Sequence, residues 1–181
     1  MSRDFYELCY DQYKQEMNEA EGLYQKAGVM LVVLPLLGAI MVSLGRVDIL
    51  ELCLTRVDVC LFYLALVVSC TALVASVVFL FLCVYPRKYG TLASMGVWQK
   101  WREDYQKYLN SKDKAAAEAD SLDLAMFENI CPRLAEAQPI NAAINEKRRR
   151  AFKRSVEMGA IALASIGIEA LFGLILRLQG V

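Results

Sequence analysis

The sequence predicts an all-α integral membrane protein with three transmembrane helices and a cytosolic helical segment. Hydrophobic residues make up 57% of the 181-residue chain, and they concentrate in three long stretches, residues 27–45, 59–85 and 156–176. Each stretch is close to or above the roughly 20 residues that a helix needs to cross the hydrocarbon core of a bilayer. The alternation of apolar and polar residues that indicates β-strands is absent from the sequence.

Composition divides the chain into four segments. We expect an amphipathic N-terminal helix over residues 1–26 and a transmembrane helical hairpin over 27–85. A cytosolic helical segment should follow over 86–155, and a third transmembrane helix with a short C-terminus should occupy 156–181. The first segment lacks the short apolar core of a secretory signal, so the first membrane helix is expected to stay in the mature protein.

Aromatic side chains recur at helical spacing in two of the polar stretches. In the N-terminal segment the intervals alternate between four and three residues, which places the side chains on one face of a helix. The candidate helix-packing aromatics are Tyr6, Tyr10, Tyr13 and Tyr24, in a stripe with Met17 and Ala20, and, after the second membrane segment, Trp98, Trp101, Tyr105 and Tyr108. The two stripes could pack in an intrachain hairpin or across the subunits of an oligomer.

The first two apolar segments predict a helical hairpin in the membrane. Pro35 lies near the centre of residues 27–45 and should kink that helix, because proline removes one backbone hydrogen bond. Residues 59–85 are uncharged and longer than a bilayer requires, so this helix must tilt or protrude. One of its faces carries a stripe of small residues, which would let another helix approach closely. The stripe consists of Ser69, Ala72 and Ser76.

The third apolar segment carries an acidic residue far from its polar start. An acidic side chain at the centre of a transmembrane helix costs about 2.5–3.5 kcal/mol on insertion scales, so Glu169 should face protein or water. With Ser165 and Gly173, each four residues away, it forms a candidate pore or assembly strip. Two interpretations stay open. Glu169 is either a pore-lining, oligomerising or protonatable group, or a side chain that reaches the outer interface because the helix ends soon after it.

Positive charge predicts the orientation of the chain, since Lys and Arg beside membrane segments stay in the cytoplasm. These residues concentrate in 86–155, which indicates a multi-pass protein of the cell inner membrane with a cytoplasmic N-terminus. A basic cluster directly before the third segment is a candidate anion or lipid contact, or else a plain topology anchor. It consists of Lys147, Arg148, Arg149, Arg150, Lys153 and Arg154.

The cytosolic segment is predicted to contain several helices. Residues 111–120, SKDKAAAEAD, interrupt the hydrophobic periodicity and fit a solvated helix or a short hinge. The next helix is expected to end at Pro132. Pro139 is well placed to open a further helix that runs into the third membrane segment.

Residue types exclude several classes of function. The chain has no histidine, which excludes His-based catalysis and His ligation of metals. A net charge of zero argues against generic nucleic-acid binding. The six cysteines are spaced singly, which favours free apolar side chains over disulfides or a metal site. Since glycine-rich phosphate loops and acidic metal motifs are also absent from the sequence, we expect no enzyme, no cofactor and no bound metal.

The layout resembles a known family of membrane effectors. An amphipathic N-terminal helix and a close pair of membrane helices precede a cytosolic stretch that ends in the basic helix NAAINEKRRRAFKRS, residues 141–155. Together they look like the SLATT-type effectors, the SMODS- and SLOG-associating two-transmembrane family. The resemblance implies an effector of bacterial anti-phage defence that permeabilises the membrane after an infection signal, often made by a nucleotidyltransferase partner. The third membrane segment departs from the two-helix layout of that family.

Three hypotheses for function follow. The leading one is a membrane effector that oligomerises and permeabilises or depolarises the inner membrane in response to an infection signal. Its expected partners are the lipid bilayer, further copies of the chain and a nucleotide-signalling or sensor protein, because a nucleotide-sensing domain is missing from this sequence. The alternatives are a structural or accessory membrane subunit that docks a cytosolic partner, and a small ion channel.

Overall fold

The computed structural model describes residues 3–45, 57–92, 95–111 and 122–178, and these ranges contain four α-helices and no strand. The helices are α1 (Arg3–Gly45), α2 (Val57–Val84), α3 (Met95–Asn110) and α4 (Leu122–Leu178). The predicted all-α class is therefore confirmed. Most of the predicted connector between the first two membrane segments, residues 46–56, and most of the predicted break at 111–120 lie outside the described residues.

Three of the helices are long and apolar enough to cross a membrane. These spans are Glu7–Leu44, Val57–Val84 and Glu128–Leu176, which confirms the prediction of three candidate transmembrane helices. The N-terminal amphipathic segment and the first membrane segment form one helix, α1, and Pro35 lies inside it without ending it.

The predicted helix breaks at Pro132 and Pro139 are wrong, because α4 runs through both prolines. A proline inside a helix costs about 3 kcal/mol or more, since it lacks the N–H group and its ring clashes with the preceding turn. Both proline side chains are exposed, and a spacing of seven residues places them on the same side of the helix. The opposite side is anchored by buried Cys131, Leu134 and Ala137. Burial of this face keeps the helix continuous where local preference alone would end it.

The chain folds into two compact units, and α1 and α4 contribute residues to both of them. The first, here called the polar unit, comprises Met1–Glu21 and Arg87–Glu146. The second, here called the membrane unit, comprises Gly22–Pro86 and Lys147–Val181. The three apolar stretches of the sequence all belong to the membrane unit.

Apolar side chains from α1, α2 and α4 fill the interior of the membrane unit. The larger cluster joins Leu34 and Leu37 of α1 to Ala72, Leu73 and Leu80 of α2 and to Ala162 and Ile166 of α4. The smaller cluster joins Val59 and Phe62 of α2 to Leu176 of α4. Large apolar side chains also cover the outer surface, for example Val32, Val67 and Phe81, each more than 60% exposed. Such a surface suits contact with lipid and not with water.

Aromatic packing and one close backbone approach define the polar unit. The rings of Trp98, Trp101, Tyr105 and Tyr108 form a continuous ladder along α3, and the Trp101 and Tyr105 rings are stacked with centroids 5.2 Å apart. The guanidinium of Arg133 on α4 lies over the Trp98 ring, 5.7 Å from its centroid. Gly90 lies directly against α4.

We predict that Gly90→Ala destabilises the polar unit. A Cβ atom at Gly90 would lie 2.9 Å from the Cα of Ala137, and overpacking of this kind costs about 1–3 kcal/mol. The matched control is Gly96→Ala on α3, where no atom lies within 4 Å of the added Cβ and the change should be close to neutral. Tryptophan fluorescence during thermal unfolding measures the effect, because both tryptophans of the chain belong to α3. Equal midpoints for the two variants would contradict the close approach.

Candidate functional site

Buried residues recur every seven positions along the part of α4 that belongs to the membrane unit. Arg148, Ser155, Ala162, Glu169 and Leu176 are each at most 1% exposed. A period of seven keeps one face of a helix turned toward its neighbours along its length. Three of these five buried residues are polar, so α4 carries a row of polar groups through the interior of an otherwise apolar bundle.

The first polar layer pairs Glu169 of α4 with Ser69 of α2. Both side chains are fully buried. The Ser69 hydroxyl donates to Oε1 of Glu169 and also lies 3.0 Å from the carbonyl oxygen of Leu66. Oε2 of Glu169 has no hydrogen-bond partner.

The position of Ser69 gives the depth of this layer. Ser69 lies 12 residues after the start of α2 at Val57 and 15 before its end at Val84. At 1.5 Å per residue these distances are about 18 Å and about 22 Å, so the layer lies near the middle of a membrane-spanning helix. The alternative in which Glu169 reaches the outer interface does not fit a side chain enclosed at this depth.

The other two residues of the predicted strip also face the interior of the membrane unit. Ser165 is 7% exposed, and Gly173 is buried beside the ring of Phe62, whose nearest atom lies 3.6 Å from an ideal Cβ at Gly173. The structure therefore brings Ser165, Glu169 and Gly173 to one buried face of α4. Whether this strip lines a pore stays a prediction.

The second polar layer is a reciprocal pair of serines on α2 and α4. The Ser76 hydroxyl donates to the carbonyl oxygen of Ser155 at 2.7 Å, and the Ser155 hydroxyl donates to the carbonyl oxygen of Ser76 at 2.9 Å. Gly159 lies one turn further along α4, and an ideal Cβ there would lie 3.6 Å from the Ser76 hydroxyl oxygen. The small-residue stripe on α2 thus faces α4, and the small side chains allow the two backbones to approach closely.

An apolar layer separates the two polar layers. On α2, Ala72 and Leu73 lie between Ser69 and Ser76, and on α4, Ala162 and Ile166 lie between Ser155 and Glu169. These four residues belong to the larger apolar cluster. They are packed together with α1 and place apolar surface between the two polar layers, where buried Ser165 also lies.

The structure divides the predicted basic cluster. Arg148 is buried, and its Nη2 atom donates to the Tyr24 hydroxyl at 2.6 Å and to the Tyr85 carbonyl oxygen at 3.1 Å. Its guanidinium also lies over the Tyr24 ring, 4.7 Å from the centroid. Arg148 therefore holds α1, α2 and α4 together and is not positioned to meet an anion or a lipid headgroup. The other members of the cluster are exposed, namely Lys147, Arg149, Arg150, Lys153 and Arg154.

In the polar unit, two asparagines on α4 bind other segments, a role that was not predicted from the sequence. Asn141 accepts the N–H of Gly90 at 2.8 Å and donates to the Gly90 carbonyl at 3.0 Å. Asn145 accepts the Tyr89 hydroxyl at 2.8 Å and donates to the backbone oxygen of Glu16 at 2.7 Å. The spacing of four residues between two buried amides on one helix was the signal that could have found them.

The N-terminal aromatic stripe lies only partly in the interior. Tyr10 and Tyr24 are each 43% exposed, Tyr13 is half-buried, and the Tyr6 side chain lies outside the described residues. On the second stripe, Trp98, Trp101 and Tyr105 are half-buried and Tyr108 is exposed. Because parts of these aromatic rings stay accessible, packing of the two stripes across the subunits of an oligomer stays a prediction.

The described cysteines are not in disulfides. They are Cys9, Cys60, Cys70, Cys83 and Cys131, and Cys53 lies outside the described residues.

Comparison with known proteins assigns the chain to a family. Residues 10–176 match the family model PycTM, described as a Pycsar effector protein domain, so the match extends over almost the whole chain. No curated protein and no solved structure matches.

We predict that Arg148→Ala destabilises the membrane unit by about 1–3 kcal/mol, because it removes a buried guanidinium together with its hydrogen bonds to the Tyr24 hydroxyl and the Tyr85 carbonyl oxygen. Lys147→Ala is the matched control, since it removes the same charge from an exposed neighbour and should change stability by less than about 0.5 kcal/mol. Thermal denaturation in detergent micelles, followed by circular dichroism, compares the two. Similar losses of stability in both variants would mean that Arg148 acts like its exposed basic neighbours and does not hold the three helices together.

Proposed function

This chain belongs to the Pycsar effector protein family, and from that premise we propose that it oligomerises and permeabilises or depolarises the inner membrane in response to an infection signal. Membership makes it a membrane effector of anti-phage defence. Beyond family membership, the proposed step that carries out the defence is opening of the membrane unit. The finer resemblance to the SLATT-type effectors stays a prediction.

The observation that carries this proposal is the buried carboxyl of Glu169. An ionisable side chain near the bilayer centre is expensive, and such residues commonly mark ion pathways or sites of assembly. A chain that only had to anchor itself in lipid would be more stable with an apolar residue there. Anchoring in lipid therefore does not explain the free-energy cost of burying the polar pair Glu169 and Ser69 in the membrane.

The arrangement of layers supports a resting state that is shut. The apolar layer of Ala72, Leu73, Ala162 and Ile166 blocks the interior between the two polar layers. Displacement of α4 from α2 would break the Ser69–Glu169 and Ser76–Ser155 pairs and present their polar groups to water or to a neighbouring copy. Since an unsatisfied polar group in lipid costs several kcal/mol, the displaced state favours assembly around a water-filled path.

Topology and partners follow the charge distribution. The exposed basic residues before the last membrane span support a cytoplasmic position for the polar unit and the N-terminus. A nucleotide-signalling or sensor protein is the proposed source of the trigger. Catalysis has no part in this function, because the chain has no histidine and its mechanism needs no covalent step.

The test is expression of the full chain in bacteria, with and without its genomic neighbours, while membrane potential, propidium entry and growth are recorded. We predict that the triggered wild type depolarises the cells and that Glu169→Leu abolishes depolarisation, although the variant still inserts in the membrane. Glu157→Leu is the matched control, because Glu157 is an exposed acid on the same helix with Lys153 3.9 Å away, and it should leave the response intact.

Unchanged potential and dye exclusion in triggered wild-type cells would overturn the proposed function. Recovery of a stable hetero-complex from detergent extracts of the same cells would then favour a docking subunit. Tyr10 of the polar unit, which is 43% exposed, would be the first position to examine in that case.

A further inference from the structure

The second carboxyl oxygen of Glu169 is a feature of the membrane unit that its packing leaves unexplained. Ser69, Ser76 and Ser155 are equally buried, and each hydroxyl has hydrogen-bond partners. Oε2 of Glu169 is enclosed and has none. An ionised carboxylate would have to leave this oxygen unpaired at the depth where solvation is poorest, at a cost of several kcal/mol.

Among the side chains that the structure describes, the neighbours of Glu169 offer no compensating positive charge. From α2 it meets the Ser69 hydroxyl, and on α4 itself Ser165 and Gly173 flank it one turn away on either side. α1 contributes the apolar side chains Leu34, Leu37 and Met41 to the adjoining cluster.

The charged residues of the described helices lie several turns away from this carboxyl along the chain. Asp58 lies in the first turn of α2, 11 residues from Ser69. On α4, Glu157 lies three turns before Glu169, and Arg177 follows Glu169 by eight residues, about 12 Å along the helix. Arg154 precedes Glu169 by 15 residues, about 22 Å along the helix, and its guanidinium lies over the ring of Phe79.

The number of available protons also points to an un-ionised carboxyl. The Ser69 hydroxyl has one hydrogen but two acceptors within reach, the Leu66 carbonyl oxygen at 3.0 Å and Oε1 of Glu169. A proton on the carboxyl satisfies both contacts, because Glu169 then donates to Ser69 while Ser69 donates to Leu66. The same proton removes the charge that has no partner.

We propose that Glu169 is a proton-binding site of the resting membrane unit, and that the closed packing of α2 against α4 requires this proton to be bound. Release of the proton to entering water leaves a carboxylate at the middle of the bundle, where it draws in further water and drives α4 away from α2. This proposal deepens the proposed function, since it names the group that keeps the effector shut. Because alkaline conditions favour release, closure is lost as the pH rises.

The bound proton is tested first, without reference to any leak. Infrared spectra of the full chain in lipid nanodiscs at neutral pH should show the carbonyl stretching band of an un-ionised carboxyl, and Glu169→Gln should lose it. Glu157→Gln should retain the band, because Glu157 is exposed and lies 3.9 Å from the Lys153 ammonium. A wild-type spectrum without the band, or a band that survives in Glu169→Gln, overturns the proposal.

Folding of the variant is checked by its thermal unfolding midpoint. A glutamine has the shape of an un-ionised glutamic acid and can both donate to and accept from Ser69, so the midpoint of Glu169→Gln should match that of the wild type. A clear rise in the midpoint would mean that the substitution had removed a buried charge, which also overturns the proposal.

The link between the proton and closure is tested by dye release from liposomes. Alkaline solution should release dye from vesicles that contain the wild type or Glu157→Gln, but not from those that contain Glu169→Gln. Equal release from all three overturns the link. Absence of release from every sample, with or without the partner proteins, overturns the permeabilising function itself, while the infrared band reports separately on the proton.

Discussion

Lipid supplies no hydrogen bonds, so every polar group that α2 and α4 carry into the membrane has to find its partner inside the bundle. Ser76 and Ser155 meet this requirement fully, because each hydroxyl donates to the carbonyl oxygen of the other residue. Arg148 meets it at one end of the unit through Tyr24 and the Tyr85 carbonyl. The remaining structure depends on these contacts, since they decide which face of α4 is turned inward along the whole membrane unit.

Close packing makes those contacts possible. Small residues on both helices, such as Ala72 on α2 and Gly159 on α4, let the backbones approach to a distance at which a serine hydroxyl reaches the opposite carbonyl. Apolar side chains from α1 then cover the seam. Glu169 is the exception within this scheme, because its long side chain reaches Ser69 with one oxygen only. The function proposed above needs a membrane protein that is stable at rest and still able to open, and an incompletely satisfied group inside a satisfied seam fits both requirements.

The sequence predicted the fold class and the three spans, because long uncharged stretches have few other structures open to them. It failed at Pro132 and Pro139, since the proline rule is local and burial of Cys131 and Leu134 acts from outside the local chain. The sequence also left the depth of Glu169 open, because it allowed both a buried group and a side chain at the outer interface. The contact with Ser69 places Glu169 opposite the middle of α2.

Arg148 shows a different limit of sequence reasoning. Six basic residues within eight positions carry the same charge, and only the period of seven, shared with Ser155 and Glu169, distinguishes the one that is buried. Asn141 and Asn145 were missed for another reason, because their partners include backbone groups of Gly90 and Glu16, which have no signature in a sequence.

The serine pair gives the seam between α2 and α4 a mechanical property as well as a thermodynamic one. If α4 slides by one turn, about 5.4 Å, Gly159 takes the place of Ser155 opposite Ser76. Glycine has no bulk to obstruct the movement and no hydroxyl to restore the bonds, each worth about 0.6–1.7 kcal/mol between membrane helices. The seam therefore holds α4 in a single register against α2. Once that register is lost, the seam offers little steric resistance to further sliding.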